Sequence, residues 1–218
     1  MISKKNAWIL PITGLALFCL IIPANAGYKA RPWNILSRNG YAASLTSEGV
    51  TIAVEPLYTD ALASQIFDRN DIVSRGIVPI GVIVFNDNDF PVEVDGLSIQ
   101  LIHGKDHIHT LSPNEVVYRL YKKDRRWLGR PATRIPRSEL NEDALADFDQ
   151  KFLLNRVIPP HEKGGGFIYL HVLSSENLIS FLSKSLIYIP NVYRRDNDSK
   201  LIFFEIDVNP ALKDAPQE

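Results

Sequence analysis

The sequence predicts a mainly β protein: a single antiparallel β-sandwich with two short helices, which follows a cleaved signal peptide. Several short segments carry the alternating or continuous apolar pattern of strands, and turn residues separate them. Only two segments have the apolar spacing of a helix. There is no strand–helix–strand alternation, internal repeat or low-complexity segment, which argues against a parallel sheet.

The first 26 residues predict export. A short basic start is followed by an apolar run from Trp8 to Ile22, and Ala24-Asn25-Ala26 has the small-x-small pattern that signal peptidases cleave. The apolar run is short for a membrane span. We therefore expect residues 1–26 to be removed before Gly27, with no transmembrane segment in the mature chain and a periplasmic or extracellular location.

The composition of the mature chain excludes thiol chemistry. Cys19 is the only cysteine and lies within the predicted signal peptide, where the bulky Phe18 before it argues against a lipoprotein-type cysteine. The mature chain then has no disulfide and no thiolate nucleophile or ligand, so its stability must come from a buried core. A formal net charge of −1 is also not the signature of a nucleic-acid-binding protein.

Residues 27–48 predict an irregular N-terminal arm that lies against the domain through Trp33 and Tyr41. The β-sandwich is expected over residues 49–210, and residues 211–218 are expected to form a flexible tail. In the segment from Gly49 to Pro56, apolar residues alternate as in a half-buried strand.

The sequence next predicts a short helix and then a central strand. Thr59 can cap a short helix with one apolar face, and the almost wholly apolar run from Ile77 to Phe85 is typical of a strand buried on both faces. Pairing is expected to begin after Pro79, which lacks an amide donor. A parity change at Asp95-Gly96 predicts a β-bulge, and residues 108–121 have the pattern of an extended stretch that is interrupted near Ser112-Pro113-Asn114.

The second helix is expected to begin after Asn141, because acidic residues occupy its first turn and an apolar stripe follows. The run Gly164-Gly165-Gly166 predicts a flexible lead into a strand over Phe167–Val172. Two strands, Leu186–Tyr193 and Leu201–Val208, flank a polar turn and predict a hairpin.

Two segments carry a resemblance to known modules. Val82 through Val94, a strand followed by an Asn/Asp turn, proline and a second strand, resembles the opening hairpin of many secreted immunoglobulin-like modules. Ile158 through Phe167 is similar to their proline-then-glycine entry into a late strand. With Gly49–Pro56 and Ile202–Asp207, the chain is similar to uncharacterised exported bacterial proteins. The resemblance implies an immunoglobulin-like architecture and no catalytic residues.

Three histidines form a possible metal site. His103, His107 and His109 lie close together in the sequence, and the last two would project from the same face of a strand. The favoured interpretation is that they are ordinary exposed loop residues. A bound metal ion, if any, is expected here, and no other cofactor is expected.

Two acidic turns have carboxylates two residues apart, as calcium loops often do. They contain Asp87 with Asp89, and Asp196 with Asp198. Neither continues with the glycine and glutamate of an EF-hand loop. The favoured interpretation is that these residues satisfy backbone donors in their own turns.

The third cluster is a basic block with aromatic residues. Its proposed binding residues are Arg119, Lys122, Lys123, Arg125, Arg126, Trp127 and Arg130. Such a segment can bind an anionic envelope polymer, an envelope protein or an anionic membrane surface. The simplest interpretation, which we favour for the block as a whole, is internal pairing with the acidic stretch that follows, Glu139 to Asp149; the block is nevertheless the best candidate binding site in the sequence.

The sequence lacks the G-x-S-x-G, H-E-x-x-H, phosphate-loop and dinucleotide motifs. We therefore predict an exported non-enzymatic binding or structural protein of the bacterial cell envelope. The alternative is an envelope metal-dependent hydrolase or metal-binding protein that uses His103, His107 and His109.

Overall fold

The computed structural model describes residues 28–122, 141–173 and 177–212, and these residues form two antiparallel sheets and four α-helices. The strands are β1 (Ala43–Ser47), β2 (Val50–Pro56), β3 (Ile77–Asn86), β4 (Val92–Val94), β5 (Gln100–His103), β6 (Asp106–His109), β7 (Arg156–Ile158), β8 (Lys163–His171), β9 (Ser185–Arg194) and β10 (Ser199–Asp207). The helices are α1 (Asp60–Ile66), α2 (Pro113–Tyr121), α3 (Glu142–Lys151) and α4 (Leu178–Leu182).

The two sheets share one apolar core. The first sheet has the order β1-β2-β3-β8, and the second has the order β6-β5-β9-β4-β7, with β10 also paired to β9. Side chains such as Ile52 and Val82 from the first sheet pack in one cluster with Leu101, Ile187 and Phe204 from the second. The mainly β prediction is confirmed, and the arrangement is compatible with a β-sandwich.

The other face of the first sheet is covered by helices α1, α2 and α3. Their apolar side chains form a second cluster with Phe167 and Tyr169 of β8, in which Phe67 stacks on Phe148 with ring centroids 4.5 Å apart. Every residue of β3 is therefore buried, as the sequence predicts for this strand. Pairing with β8 begins at Ile77 and includes Pro79, earlier than expected.

The N-terminal segment covers the remainder of that face, as predicted for Trp33 and Tyr41. The Trp33 ring lies 4.5 Å from the ring of Phe167, and its indole donates to Glu55 at 3.3 Å. Because of this cover, β2 is buried on both faces, whereas the sequence predicted a half-buried strand.

The structure also places a strand, β1, inside the segment predicted to be irregular. It pairs with β2 through a two-residue turn, in which Glu48 and Gly49 both have positive φ, 47° and 70°. Two positive φ values are the requirement of the tight hairpin turn whose twist matches the strands it joins. The hairpin was not predicted because apolar and polar residues alternate only weakly in β1.

Helix α2 replaces the extended stretch that we expected over residues 108–121. Ser112 caps the helix, Pro113 occupies its first position, and the Glu115 side chain accepts from the backbone of Ser112. This reciprocal capping box satisfies two amides that would otherwise lack partners. Only β6, at the start of the stretch, is extended.

Three further features differ from expectation. The glycines 164–166 lie within β8, and residues 96–98 form a short 3₁₀ helix where a bulge was expected. Helix α4 was not predicted. By contrast, α1 after Thr59, α3 after Asn141 and the β9–β10 hairpin are confirmed.

Among the described residues, no helix has the length and apolar character needed to cross a membrane.

Candidate functional site

A cleft of about 500 Å³ lies beside α2, and we call it the basic cleft. It is lined by Arg75, Glu115, Tyr118, Arg119, Lys122 and His171. Three chain segments supply these residues: helix α2, the loop before β3 and the last residue of β8. Three of the six carry a permanent positive charge, and one carries a carboxylate.

The amphipathic pattern of α2 places its share of the cleft on one face. Val116, Val117 and Leu120 are buried in the helix–sheet cluster. Glu115, Tyr118 and Arg119 of this helix and Lys122, its C-cap, recur at intervals of three and four, so they share the opposite face. The two cations belong to the C-terminal end of α2, where the helix dipole favours positive charge.

Arg75 is held in place by Asp71. Its Nε donates to Asp71 Oδ2 at 2.6 Å, and Arg69 Nη2 donates to the same oxygen at 2.9 Å. Arg69 in turn lies 4.4 Å above the ring of Tyr121 at the end of α2. Burial opposes the charge of Asp71, but the hydrogen bonds from both guanidinium groups keep its pKa below the usual value. Asp71 therefore remains ionised and orients Arg75 at the rim of the cleft.

His171 reaches the cleft from the sheet. It is the last residue of β8 and pairs with Ile77, the first residue of β3. Partial burial, with a smaller contribution from Arg119, lowers the pKa of His171 below its ordinary value. The imidazole is therefore neutral at neutral pH in the free protein.

Among the described residues, one carboxylate lines the cleft, and it belongs to the cap of α2. Glu115 Oε2 accepts from the backbone nitrogen and the hydroxyl of Ser112, at 2.9 and 2.8 Å. These bonds lower the pKa of Glu115. Lys122 Nζ lies 5.5 Å from the centre of the Tyr118 ring, and within the described ranges neither Lys122 nor Arg119 forms an ion pair. Asp71 offsets the charge of Arg75 and Glu115 lies near Arg119, so the described residues give the cleft an excess of one positive charge.

The basic cleft contains part of the basic block predicted from the sequence. Arg119 and Lys122 belong to both. The other residues of the block, Lys123, Arg125, Arg126, Trp127 and Arg130, lie outside the described residues, and so does the acidic Glu139. Binding of an anionic partner by the whole block stays a prediction.

The predicted internal pairing is not seen for the acidic residue that the structure buries most. Asp147 of α3 pairs with Lys151 of the same helix and accepts from Tyr28 Oη at 2.6 Å. Pairing between the basic block and the remaining acids of α3 stays a prediction, because most of the block is outside the described part of the chain.

Sequence analysis missed Arg75, Tyr118 and His171. Arg75 and His171 are far apart along the chain and meet because β3 pairs with β8. The one local signal was the Ser112-Pro113-Asn114-Glu115 capping box, which would have predicted α2 and the shared face of Tyr118 and Arg119.

The structure does not bring the three predicted metal-ligating histidines together. In the β5–β6 ladder, His107 and His109 oppose Ile102 and Gln100, whereas His103 opposes Asp106 and is on the other face. His103 stacks on Phe181 at 4.0 Å, and His107 Nδ1 lies 2.9 Å from Gln100 Oε1. Across the residues that the structure describes, no three His, Asp, Glu or Cys side chains are grouped so that they could hold a metal ion.

The acidic turns are occupied by local partners. Asp87 pairs with Arg38 at 2.6 Å, and Asp89 lies 2.9 Å from the imidazole of His161. In the β9–β10 turn, Asp196 pairs with Arg194 and Asp198 pairs with Arg195. These side-chain partners account for the carboxylates whose spacing resembles that of calcium loops.

Comparisons with known proteins give no functional assignment. No protein-family model matches the chain, and no curated protein matches it. A Bacillus subtilis protein described as a "putative lipoprotein (ycdA)" is 12% identical with a TM-score of 0.38, and the match covers 76% of this chain and 38% of that one. The yjhA protein of Bacillus subtilis is 8% identical with a TM-score of 0.39, over 76% of this chain and 95% of that one. Both scores are too low to assign a fold or a function.

Proposed function

We propose that the protein is an exported, non-enzymatic binding protein of the bacterial cell envelope, and that the basic cleft holds an anionic envelope polymer. The observation that supports this proposal is the convergence of Arg75, Arg119 and Lys122 around one cleft. Three cations from two chain segments stand against two carboxylates, Glu115 in the helix cap and Asp71 in an ion pair with Arg75. Positive charge concentrated in a cleft attracts anionic ligands.

The shape of the cleft favours a polymer over a small enclosed ligand. Arg119 and Lys122 are exposed, and the side chain of Arg75 is 43% exposed. An anionic chain can therefore lie along the open face of α2. We propose that Arg125, Arg126 and Trp127 also contribute to its binding.

We also propose that the protein is exported and that its fold is an immunoglobulin-like β-sandwich. The basic start, the apolar run and Ala24-Asn25-Ala26 support removal of residues 1–26 and a periplasmic or extracellular location. Two antiparallel sheets with a common core support an immunoglobulin-like sandwich. N-terminal sequencing of the exported protein tests the removal of residues 1–26, since the cleaved protein should begin at Gly27.

Binding to two soluble polymers tests the proposed function. The dissociation constants of the mature chain for poly(glycerol phosphate) and for polyglutamate should rise steeply with salt, because exposed charges are screened beyond about 8 Å at physiological ionic strength. Arg119→Glu should weaken binding by about tenfold or more without a change in the melting temperature. The matched control is Lys200→Glu, which reverses an exposed charge on β10 and should leave binding unchanged.

Arg125→Glu combined with Arg126→Glu tests the contribution of the rest of the basic block. A loss of binding with an unchanged melting temperature would show that the block extends the cleft. Loss of stability without loss of binding would instead indicate pairing with the acidic stretch. Binding of neither polymer at low salt, or equal effects of Arg119→Glu and Lys200→Glu, would contradict the proposed function.

A further inference from the structure

Among the described residues that line the basic cleft, His171 is the one whose side-chain type changes its charge near neutral pH. It is partly buried, and its free-protein pKa is lowered by burial and by the neighbouring Arg119. The position is fixed by the sheet, because His171 pairs with Ile77 and Val172 donates to the backbone oxygen of Gly76 at 2.9 Å. The imidazole therefore lies at the cleft whether or not a ligand is present.

The charged and titratable groups around His171 come from three elements. Helix α2 contributes Glu115, Tyr118, Arg119 and Lys122, and the loop before β3 contributes Arg75 with Asp71 behind it. From β6, His109 comes one residue before Thr110, which bridges to Leu170. The permanent charges that share the cleft with His171 are thus mostly positive, so protonation is disfavoured until an anion enters.

An anion in the cleft reverses this balance. A negative group beside an imidazole favours the imidazolium and raises its pKa, while it also screens the repulsion from Arg119. If the pKa of His171 is higher in the complex than in the free protein, binding takes up a proton. Affinity then rises as the pH falls through the pKa of the complex, and levels off below the pKa of the free protein.

The donors around the cleft favour a phosphate group among anions. The Nε of Arg75 is bonded to Asp71, which leaves its two Nη groups for an acceptor. Arg119 and Lys122 approach from α2, a different chain segment. A carboxylate has two oxygens and is satisfied by one guanidinium fork, whereas a tetrahedral phosphate offers acceptors in several directions.

We propose that the basic cleft binds a phosphate group and that His171 takes up a proton as the phosphate enters. This inference rests on the proposed function and adds the ligand class and its pH dependence. His171 would act as an extra hydrogen-bond donor that is present only in acidic surroundings. The protein would hold its phosphate partner more tightly where the envelope is acidified.

Poly(glycerol phosphate) and phosphatidylglycerol vesicles are suitable probes, because both present a glycerol phosphodiester whose charge is constant over the range used. Between about pH 8 and pH 5, where histidine titrates, the affinity of the mature protein should rise roughly tenfold. Titration calorimetry in two buffers with different protonation enthalpies should show proton uptake on binding. His171→Gln should lose most of the difference in affinity between about pH 8 and pH 5.

His109→Gln is the matched control, since it removes a neighbouring imidazole that does not line the cleft, and it should retain the pH dependence. Stronger binding of the soluble polymer than of the vesicles supports a polymer partner, and the reverse result supports a lipid headgroup.

The outcomes separate the two proposals. Binding that depends on Arg119 but is independent of pH, or equally pH-dependent in His171→Gln, would overturn the proton linkage and leave the proposed function standing. Binding of polyglutamate at pH 7.5 without binding of either phosphodiester probe would overturn the phosphate assignment alone. Failure of every anionic probe at low salt would overturn both.

Discussion

The hydroxyl of Tyr28 donates a hydrogen bond of 2.6 Å to Asp147 Oδ2, across 119 positions of the chain. Asp147 also pairs with Lys151, whose ammonium donates to the backbone oxygen of Ile66 at 3.2 Å. Burial, followed by the bond to Asp147, raises the pKa of Tyr28, so the phenol is a constant donor. This network fastens the N-terminal segment to α3 on the side of the molecule that carries the helices.

Tyr28→Phe should lower the free energy of unfolding by about 1–3 kcal/mol, because it removes a donor from a buried carboxylate without changing the ring. Tyr193→Phe, on the second sheet, is the control and should change stability little. Denaturant unfolding of both variants measures the difference. Equal stabilities would show that the N-terminal segment is not fastened through this bond.

The Asp147–Lys151 pair should show strong coupling, because the two side chains are only 3% and 10% exposed. Asp147→Ala leaves the ammonium buried beside Phe67 and should cost about 3–5 kcal/mol. The double variant Asp147→Leu, Lys151→Met removes both charges and should recover much of that loss. A double-mutant cycle by denaturant unfolding tests this, and additive losses would contradict it.

Gly165→Ala should disturb the packing of β8 against β3 and against Trp33 of the N-terminal segment. A Cβ at this position would lie 2.5 Å from the backbone oxygen of Val82 and 3.3 Å from the Trp33 ring. We expect a loss of about 1–3 kcal/mol, as for other overpacked sites. A red shift of tryptophan emission should accompany it, because the Trp33 ring is displaced toward water. Unchanged stability and emission would mean that β8 does not approach its neighbours this closely.

The lowered pKa of His171 predicts a pH dependence of stability even without a ligand. The unfolded chain binds a proton at about pH 6.5, where the folded protein does not, so stability is present above that pH and is lost as the pH falls toward the folded-state pKa. His171→Gln should therefore lose less stability than the wild-type protein between about pH 7.5 and pH 5. Melting temperatures of both proteins at both pH values test this prediction. An equal loss of stability in the variant and in the wild-type protein would contradict it.

Much of the fold could be predicted from local patterns. The continuous apolar run of β3, the N-caps Thr59 and Asn141, and the β9–β10 hairpin all depend on short-range signals, and each is present in the structure. The burial of both faces of β2 could not be predicted in this way, since it depends on Trp33 and other side chains from distant segments. Helix α2 was missed although its capping box was visible in the sequence.

The candidate site likewise contains residues that carry a local sequence signal and residues that carry none. Arg119 and Lys122 stand out as neighbours in a basic stretch. Arg75 and His171 carry no local signal, because only the register of β3 with β8 brings them to α2. Conversely, the histidine cluster is close in sequence, but the alternation of side chains along strands separates His103 from His107 and His109. Proximity along the chain was informative where the segment is one helix face and misleading across a β-turn.

The measurement that tests the basic cleft most directly is a map of backbone amide chemical shifts on titration of the protein with poly(glycerol phosphate). The central claim predicts that the resonances of Arg75, Arg119, Lys122 and His171 move together and saturate with one dissociation constant, while those of the β9–β10 turn do not move. Shifts confined to other surfaces, or no saturable shift at low salt, would contradict the claim.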